Sequence, residues 1–388
     1  MAGWYPRHKF GLRAAIFFSA ATISGAFGGL LSVGLSKIRA GGYSGPNDGW
    51  RWIFIVIGLA TFVSGILSFW LVADFPDTAK FLSEKERAYV IAKLQENQQY
   101  SAAGEKFTWN SFWKACFDPL TPLALLAYMG IDGPLYAFSV FTPTIVRSLG
   151  RWNSIQTNLL TVPIYIFACI VTVCIGFLAD RRGNRALTQL VLVAIGIAGY
   201  IILLAVNPSQ HPGVAYFAIY LAAAGIYPCI ANTVALCGSH IEGAYKRGVV
   251  IGLFVSYGNI HGAATSQVYL PRESPTYHTG HGVILAYLAI GWLCTLGYYL
   301  TVKAKNKSRE RGACDETYLD HMPYEEAVEA AARARQQEAA DMKAQGGLLS
   351  YWRRLQMKIH AQPGGTYANV QEAKRLKGDA WSGHRYSY

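Results

Sequence analysis

Eight apolar windows, each about as long as a bilayer is thick, restrict what this sequence can fold into. A helix needs about 20 apolar residues to cross the hydrocarbon core, and only helices or closed barrels satisfy the backbone inside it. The connections are mostly short, so the sequence predicts an all-α membrane protein with about eight up-and-down spans. The windows cover residues 14–35, 53–72, 119–146, 157–179, 186–206, 213–238, 249–270 and 281–302.

The charged residues are few and lie mostly between the windows. They make up 15% of the chain, against about a quarter in a soluble domain. The net charge of +12 therefore indicates loops facing an anionic membrane surface rather than nucleic acid. The seven cysteines lack zinc-site spacing, and no nucleotide-binding or triad motif is present. The sequence predicts no cofactor, no metal site and no enzymatic activity.

One long hydrophilic segment divides the windows into two groups. Residues 74–118 are predicted to be a linker, in which Ser83 and Glu86 have the spacing of a capping box that starts a helix. Residues 1–73, with two spans, then belong to one bundle. Residues 119–303 form a second bundle of six spans, and residues 304–388 form a polar tail.

The loop charges predict which side of the membrane each loop faces. One set of alternating loops is about twice as rich in Lys and Arg as the opposite set, and basic loops face the cytoplasm. That set contains the N-terminal residues, the Arg181 loop and the Lys246 loop, and the linker adds six further Lys and Arg. Both termini and the linker are therefore predicted to be cytoplasmic.

Residues 176–185, Gly-Phe-Leu-Ala-Asp-Arg-Arg-Gly-Asn-Arg, connect two windows through a short charged loop. The glycines allow a tight turn and close helix approach. The aspartate can pair with an arginine or with the positive N-terminus of a neighbouring helix, although a loop that only fixes topology would contain the same residues. The spacing resembles the cytoplasmic gating-loop motif of the major facilitator superfamily, in its copy between helices eight and nine. The motif positions are Gly176, Asp180, Arg181, Gly183 and Arg185.

Several further stretches resemble one branch of that superfamily, the fungal allantoate permease-like proteins of the anion:cation symporter group. They are residues 49–54, residues 74–87, Lys246-Arg-Gly, Gly258-Asn259 and residues 275–280. Relatives in that branch take up nicotinate, pantothenate, biotin, allantoate and other organic anions. The resemblance implies a multi-pass plasma-membrane transporter whose partners are a small organic anion, protons and the lipid bilayer. It implies alternating access between two helical halves.

The resemblance also implies that part of the superfamily bundle is absent. Members have twelve spans in two six-helix halves, and windows 14–35 and 53–72 resemble helices five and six. The first four helices, one of which often carries a substrate-coordinating basic residue, would be missing from a truncated form. The first two windows would then lack packing partners and be loosely held. The alternative is a non-transporting, receptor-like or regulatory remnant of the same fold.

Polar residues inside the windows are the candidates for substrate contact, because such residues are costly in a bilayer and often functional. Asp132 lies in a window broken by Gly130, Gly133 and Pro134, where a carboxyl could exchange a proton or pair with a basic neighbour. No Lys or Arg lies inside the windows, which leaves the neutralisation of an anion to the missing helices. Groups that could line a cavity, or bond neighbouring helices, belong to Tyr136, Ser139, Tyr165, Tyr227, Asn232, Asn259 and Gln267.

Overall fold

The computed structural model consists mainly of long helices. It describes residues 4–5, 7–35, 49–72, 76, 79, 81–96, 109–241, 244–310, 317–318, 325–334, 366–367 and 369–370. The helices are α1 (Arg7–Leu35), α2 (Gly49–Leu71), α3 (Glu84–Glu96), α4 (Trp109–Cys116), α5 (Leu120–Ser148), α6 (Ser154–Arg182), α7 (Arg185–Ala205), α8 (Pro212–His240), α9 (Ala244–Thr265) and α10 (His278–Glu310). A 3-10 turn lies at Pro271–Glu273. In the tail, residues 325–334 are helical, and strands Thr317–Tyr318 and Thr366–Tyr367 pair in parallel.

Seven of the described helices are long and apolar enough to cross a membrane, namely α1, α2, α5, α6, α7, α8 and α10. The predicted window 249–270 is the exception. Most of its residues lie in α9, which packs along α5, has Lys246 and Arg247 in its first turn and contains Asn259 and His261. These polar side chains lower its mean hydropathy. The described residues thus include eight long helices, as predicted, of which only α9 is not one of the seven apolar spans.

Local capping explains the sharp turn between α6 and α7. Gly183 adopts a φ of 70°, a left-handed conformation that favours glycine, and its N–H donates to the Ala179 carbonyl at 3.0 Å. Asn184 then accepts a hydrogen bond from the Leu187 N–H at 3.1 Å, which starts α7. Two residues are therefore enough to reverse the chain between two long helices.

The predicted capping box in the linker is confirmed. The Ser83 N–H donates to Glu86 Oε2 at 3.0 Å, and the Glu86 N–H donates to Ser83 Oγ at 3.4 Å. This reciprocal pair starts α3. These contacts with Ser83 hold the pKa of Glu86 below its ordinary value.

Helices α5 to α10 pack into one bundle through close backbone approaches. Helix α5 packs against α9 and α10, and α7 packs against α8 and α10. A Cβ added to Gly291 would lie 3.0 Å from the Gly130 Cα, and one added to Gly196 would lie 3.5 Å from the Gly225 Cα. Small residues allow such approaches, which increase van der Waals contact between helices in lipid.

The two N-terminal spans differ in how they meet this bundle. Helix α1 packs against α6 and α8, whereas α2 contacts α1 and none of the residues in its most apolar window is buried. Ala14, Ala15 and Ala26 of α1 are buried in its contacts. The expectation that both spans would be loosely held is therefore wrong for α1.

Candidate functional site

A buried carboxylate lies where α5 meets α9. Asp132 is 4% exposed, and its Oδ2 has no hydrogen-bond partner among the described residues. A Cβ added to Gly258 of α9 would lie 2.7 Å from that oxygen and 2.6 Å from the Tyr128 ring. Among the described residues, no basic side chain forms an ion pair with Asp132. The structure thus does not show the pairing with a basic neighbour that the sequence left open.

One turn further along α5, a second polar contact joins α5 to α9. The Tyr136 hydroxyl donates to Asn259 Oδ1, and the Asn259 amide donates to the Val255 carbonyl at 2.8 Å. The Tyr136 ring lies against Gly262, where an added Cβ would be 2.6 Å from the ring. The structure therefore brings together Asp132, Tyr136 and Asn259 at one helix seam.

A cluster of hydroxyl groups joins α5 to α6 and α8. Ser139 Oγ lies 3.3 Å from the Tyr227 hydroxyl, and the Tyr165 hydroxyl donates to the Ser139 carbonyl at 3.4 Å. The rings of Tyr165 and Tyr227 meet edge to face, with centroids 6.1 Å apart. Gly25 of α1 lies against this cluster, because a Cβ added there would be 3.0 Å from the Tyr165 ring. Three more predicted residues therefore meet beside α1.

The other two predicted residues lie elsewhere. Gln267 was expected inside a span, but α9 ends at Thr265 and Gln267 is exposed beyond it. Asn232 is buried and donates to Gln189 Oε1 at 2.9 Å and to the Arg185 carbonyl at 2.8 Å. Asn232 thus belongs with the gating-loop residues rather than with the α5 seam.

The gating-loop residues form a buried contact with α1. The Arg185 guanidinium pairs with Asp180 Oδ1, and Asp180 Oδ2 accepts a hydrogen bond from the Leu12 N–H of α1 at 2.7 Å. Both alternatives predicted for Asp180 therefore occur: an arginine partner and a backbone donor near the N-terminus of a neighbouring helix. Arg181, by contrast, is exposed. The arginine paired with Asp180 is Arg185.

Gly176 brings the two helices close enough for this contact. A Cβ added to it would clash with the Ala15 side chain and would lie 3.6 Å from the Leu12 Cα. The contact continues into α8, because the Gln189 amide also donates to Thr233 Oγ1 at 2.6 Å. We call Leu12, Asp180, Arg185, Gln189 and Asn232 the α1 clasp. It links α1, α6, α7 and α8 at one end of the bundle.

Several residues of these sites were not predicted from the sequence. Leu12 contributes a backbone N–H, which any residue type supplies, so no side-chain signal marks it. Gln189 and Tyr128 lie inside apolar windows, as the predicted residues do, but only the fold shows which polar groups meet. The small residues of α1 permit close packing, but no sequence pattern identifies their partners on α6.

The chain is similar to known membrane transporters. The sequence profile of the Major Facilitator Superfamily matches residues 1–266. An uncharacterised transporter of Schizosaccharomyces pombe is 31% identical over 306 residues, which are 79% of this chain and 60% of that protein. An MFS-type transporter of Penicillium expansum is 31% identical over 326 residues, 80% of this chain and 61% of that protein. The high-affinity nicotinic acid transporter of Saccharomyces cerevisiae is 30% identical over 329 residues, which are 83% of this chain and 59% of that protein.

These matches cover most of this chain but only part of each relative. The chain spans 59% to 61% of the length of the three relatives, and the family profile covers 266 of its 388 residues. The seven apolar helices and the family match together make it an integral, multi-pass membrane protein. The names of the family and the relatives are those of transporters, not of enzymes. The chain belongs to the major facilitator superfamily.

Proposed function

We propose that this protein acts in proton-coupled symport of small organic anions, by alternating access of two helical halves. The observation that supports the proposal most strongly is the unpartnered, buried carboxylate of Asp132 beside the Tyr136–Asn259 contact. The relative from Saccharomyces cerevisiae is named as a nicotinic acid transporter, and nicotinate is a small carboxylate. We assign the protein to the allantoate permease-like branch and to the plasma membrane.

Asp132 has the surroundings of a group that exchanges a proton. A charged carboxylate that is buried without a partner costs much more free energy than a neutral carboxylic acid. The side chain therefore carries a proton while α5 and α9 are packed together. Separation of the two helices would expose it to water and allow release. Proton movement is thereby coupled to the conformational change.

The hydroxyl cluster between α5, α6 and α8 supplies donors for an organic anion. A carboxylate accepts hydrogen bonds from hydroxyl and amide groups, and such charge-assisted bonds are stronger than neutral ones. Tyr165, Tyr227 and Ser139 already face one another across three helices. A cationic side chain to complete the site would come from helices outside this chain, since none lies within its apolar windows.

The α1 clasp is proposed to stabilise one state of the transport cycle. Asp180 connects α1 to the corner between α6 and α7. Movement of α1 away from that corner would break the contact of Asp180 with the Leu12 N–H and leave the Asp180–Arg185 pair within the corner, which makes the clasp a reversible closure. We place the clasp, both termini and the 74–118 linker on the cytoplasmic side, in agreement with the loop charges.

The transporting form is proposed to contain four further helices beside α1 and α2. Residues 1–73 would then complete one half of the transporter, residues 119–303 would form the other half, and residues 304–388 a cytoplasmic tail. Two observations support this. The chain spans about three fifths of its relatives, and the most apolar window of α2 has no buried residue.

The test measures uptake in proteoliposomes. An extended form, with four upstream spans from a relative, should accumulate radiolabelled nicotinate, pantothenate or allantoate when the outside is acidified, and an uncoupler should abolish accumulation. Asp132→Asn should lose gradient-driven accumulation but keep exchange of internal for external substrate, because only proton coupling is removed. Glu86→Gln, on the exposed helix α3, is the matched carboxylate control and should behave as the unmodified protein.

Each part of the proposal can fail separately. Gradient-driven accumulation by Asp132→Asn would contradict the proton role. Concentrative uptake by residues 1–388 alone would contradict the need for further helices. Binding of these anions without uptake by any form would favour the receptor-like or regulatory alternative.

A further inference from the structure

A row of aromatic side chains lines the exposed face of α4. The ring centroids of Trp109 and Phe112 are 5.8 Å apart, those of Phe112 and Trp113 5.4 Å, and those of Trp113 and Phe117 5.6 Å. Trp109 is 69% exposed, Trp113 49% and Phe117 52%. Large apolar patches that face outward on a folded surface indicate a contact with a partner or a membrane.

The opposite face of α4 is fixed to the helical bundle. Helix α4 packs against α9, Ala115 is fully buried, and Thr121 Oγ1 donates to the Ala115 carbonyl at 2.7 Å. A helix of this length is not stable in isolation, so the bundle provides its order. The aromatic row is thereby held outward in a fixed position.

The row lies next to the end of a membrane span. The Phe117 N–H donates to the Trp113 carbonyl at 3.0 Å, so the helical turn continues up to Asp118, and span α5 begins at Leu120. Three residues reach at most about 11 Å, which places the Phe117 backbone within that distance of the first residue of the span. Trp residues prefer this depth, where the ring meets both headgroups and acyl chains.

A mostly buried ion pair lies beside the row. Asp118 pairs with Lys246 at 2.9 Å and also interacts with Lys305. Burial raises the pKa of Asp118, but these two lysines, together with hydrogen bonds from the Leu120 N–H and Lys246, outweigh it and hold the pKa below its ordinary value. The pair joins a residue just before α5 to the first turn of α9 and so helps to hold the row in position.

Helix α3 of the same linker has no exposed aromatic row among its described residues. It carries two acidic residues in its first turn and one exposed tyrosine, Tyr89, which is 66% exposed. Lys93 lies 5.9 Å from the centre of the Tyr89 ring. Helix α3 therefore has the surface of a hydrated helix, whereas α4 presents a continuous aromatic face.

We propose that α4 is an interfacial anchor whose aromatic row, Trp109, Trp113 and Phe117, inserts into the headgroup layer of the bilayer beside the start of α5. The anchor holds the linker on the membrane surface where the chain enters span α5. It does not depend on transport, because it requires only that α5 spans the membrane.

The test locates residue 113 relative to the lipid. Trp113→Cys and, as a matched aromatic control, Tyr89→Cys are introduced into the full chain with the seven native cysteines replaced. Each is labelled with the environment-sensitive dye NBD in nanodiscs. Spin-labelled lipid with the label near the headgroup should quench the 113 probe at least about twofold more than the 89 probe.

Other outcomes would overturn the proposal. Equal quenching of the two probes would show that α4 is hydrated. A blue-shifted 113 probe that no lipid label quenches would show that protein covers the row. A second variant, Phe117→Ser in the 113-labelled protein, separates folding from insertion. It should reduce quenching by the lipid label while the thermal unfolding midpoint in detergent stays unchanged. A loss of quenching that only accompanies unfolding in detergent would mean that Phe117 has a structural role, and would also contradict the anchor.

Discussion

Helices α1 and α2 adjoin in sequence and are both apolar, yet they pack differently. The most apolar window of α1 has a mean hydropathy of 1.7, and 28% of the window is buried. The corresponding window of α2 has a higher mean hydropathy of 2.2, and none of it is buried. The more hydrophobic helix is thus the one that makes fewer contacts. Helix association in a bilayer does not follow hydrophobicity, because the lipid is as apolar as the side chains.

The difference lies in the side chains that each helix presents. Helix α1 places Ala14, Ala15, Ser19, Thr22 and Ala26 in buried positions. Helix α2 presents large exposed side chains, including Phe54, Leu59, Phe62, Phe69 and Trp70. Small residues permit the close approach of two helix backbones, and large ones prevent it. The comparison shows that hydropathy alone does not determine which span packs on the bundle: α1 does so through small residues and one backbone hydrogen bond.

The most damaging change to the α1 contact should be Asp180→Ala. It leaves the buried Arg185 guanidinium without its carboxylate and the Leu12 N–H without its acceptor, and breaking such a pair costs about 3 kcal/mol. A disulfide between Gly29→Cys and Asn158→Cys reports on the contact, since a Cβ at Gly29 lies 3.8 Å from the Asn158 Cβ and disulfides need about that separation. Asp180→Ala should reduce the yield of this disulfide.

The control for that change lies on α2. Among the described residues, Ser64 bonds within its own helix, to the Ala60 carbonyl at 2.8 Å, so Ser64→Ala should leave the disulfide yield unchanged. Undiminished cross-linking in Asp180→Ala would show that the α1 clasp does not hold α1, and that packing alone does.

A smaller effect is expected from Gly176→Leu. The added side chain must displace Ala15 of α1, and overpacking of this kind costs about 2 kcal/mol. Gly65→Leu on α2 is the matched control, because a Cβ there meets nothing within 4 Å. The thermal unfolding midpoint in nanodiscs should fall for Gly176→Leu and stay constant for Gly65→Leu. Equal midpoints for the two variants would remove the distinction between the helices.

Much of this architecture could be predicted from the sequence, since span length and charge placement depend on local composition. Five of the eight predicted windows lie within four residues of the helices at both ends, whereas α1, α9 and α10 differ by five to eight residues at one end or both. Gly183 was expected at a tight turn. The predicted number of long helices agrees with the structure, although α9, which contains Lys246, Arg247 and Asn259, is not among the seven apolar spans. The expectation of two loosely held spans failed at α1, because its partners lie on α6 and α8.

The candidate site was less predictable for a physical reason. Four of the eight predicted residues other than those of the gating loop stand on α5 and α9, namely Asp132, Tyr136, Ser139 and Asn259. The contacts of Tyr165, Tyr227 and Asn232 could be placed only after the helix rotations were known. Asn232 turns towards Gln189 and the Arg185 carbonyl, a contact between residues more than 40 positions apart. The rotation of a helix about its axis depends on tertiary packing, which apolar windows of this kind do not encode.

The smallest effect should come from Phe62→Ala. This variant tests whether the exposed face of α2 contacts lipid or further helices. Phe62 is 65% exposed, so its truncation in residues 1–388 should change the unfolding free energy by less than about 0.5 kcal/mol. If four further helices cover α2, as proposed, Phe62 becomes buried in the extended form. The same truncation should then cost at least about 2 kcal/mol there, as for a core aromatic residue. Thermal unfolding of both forms with and without the substitution gives the comparison. An equally small cost in the extended form would show that this face of α2 contacts lipid rather than helices.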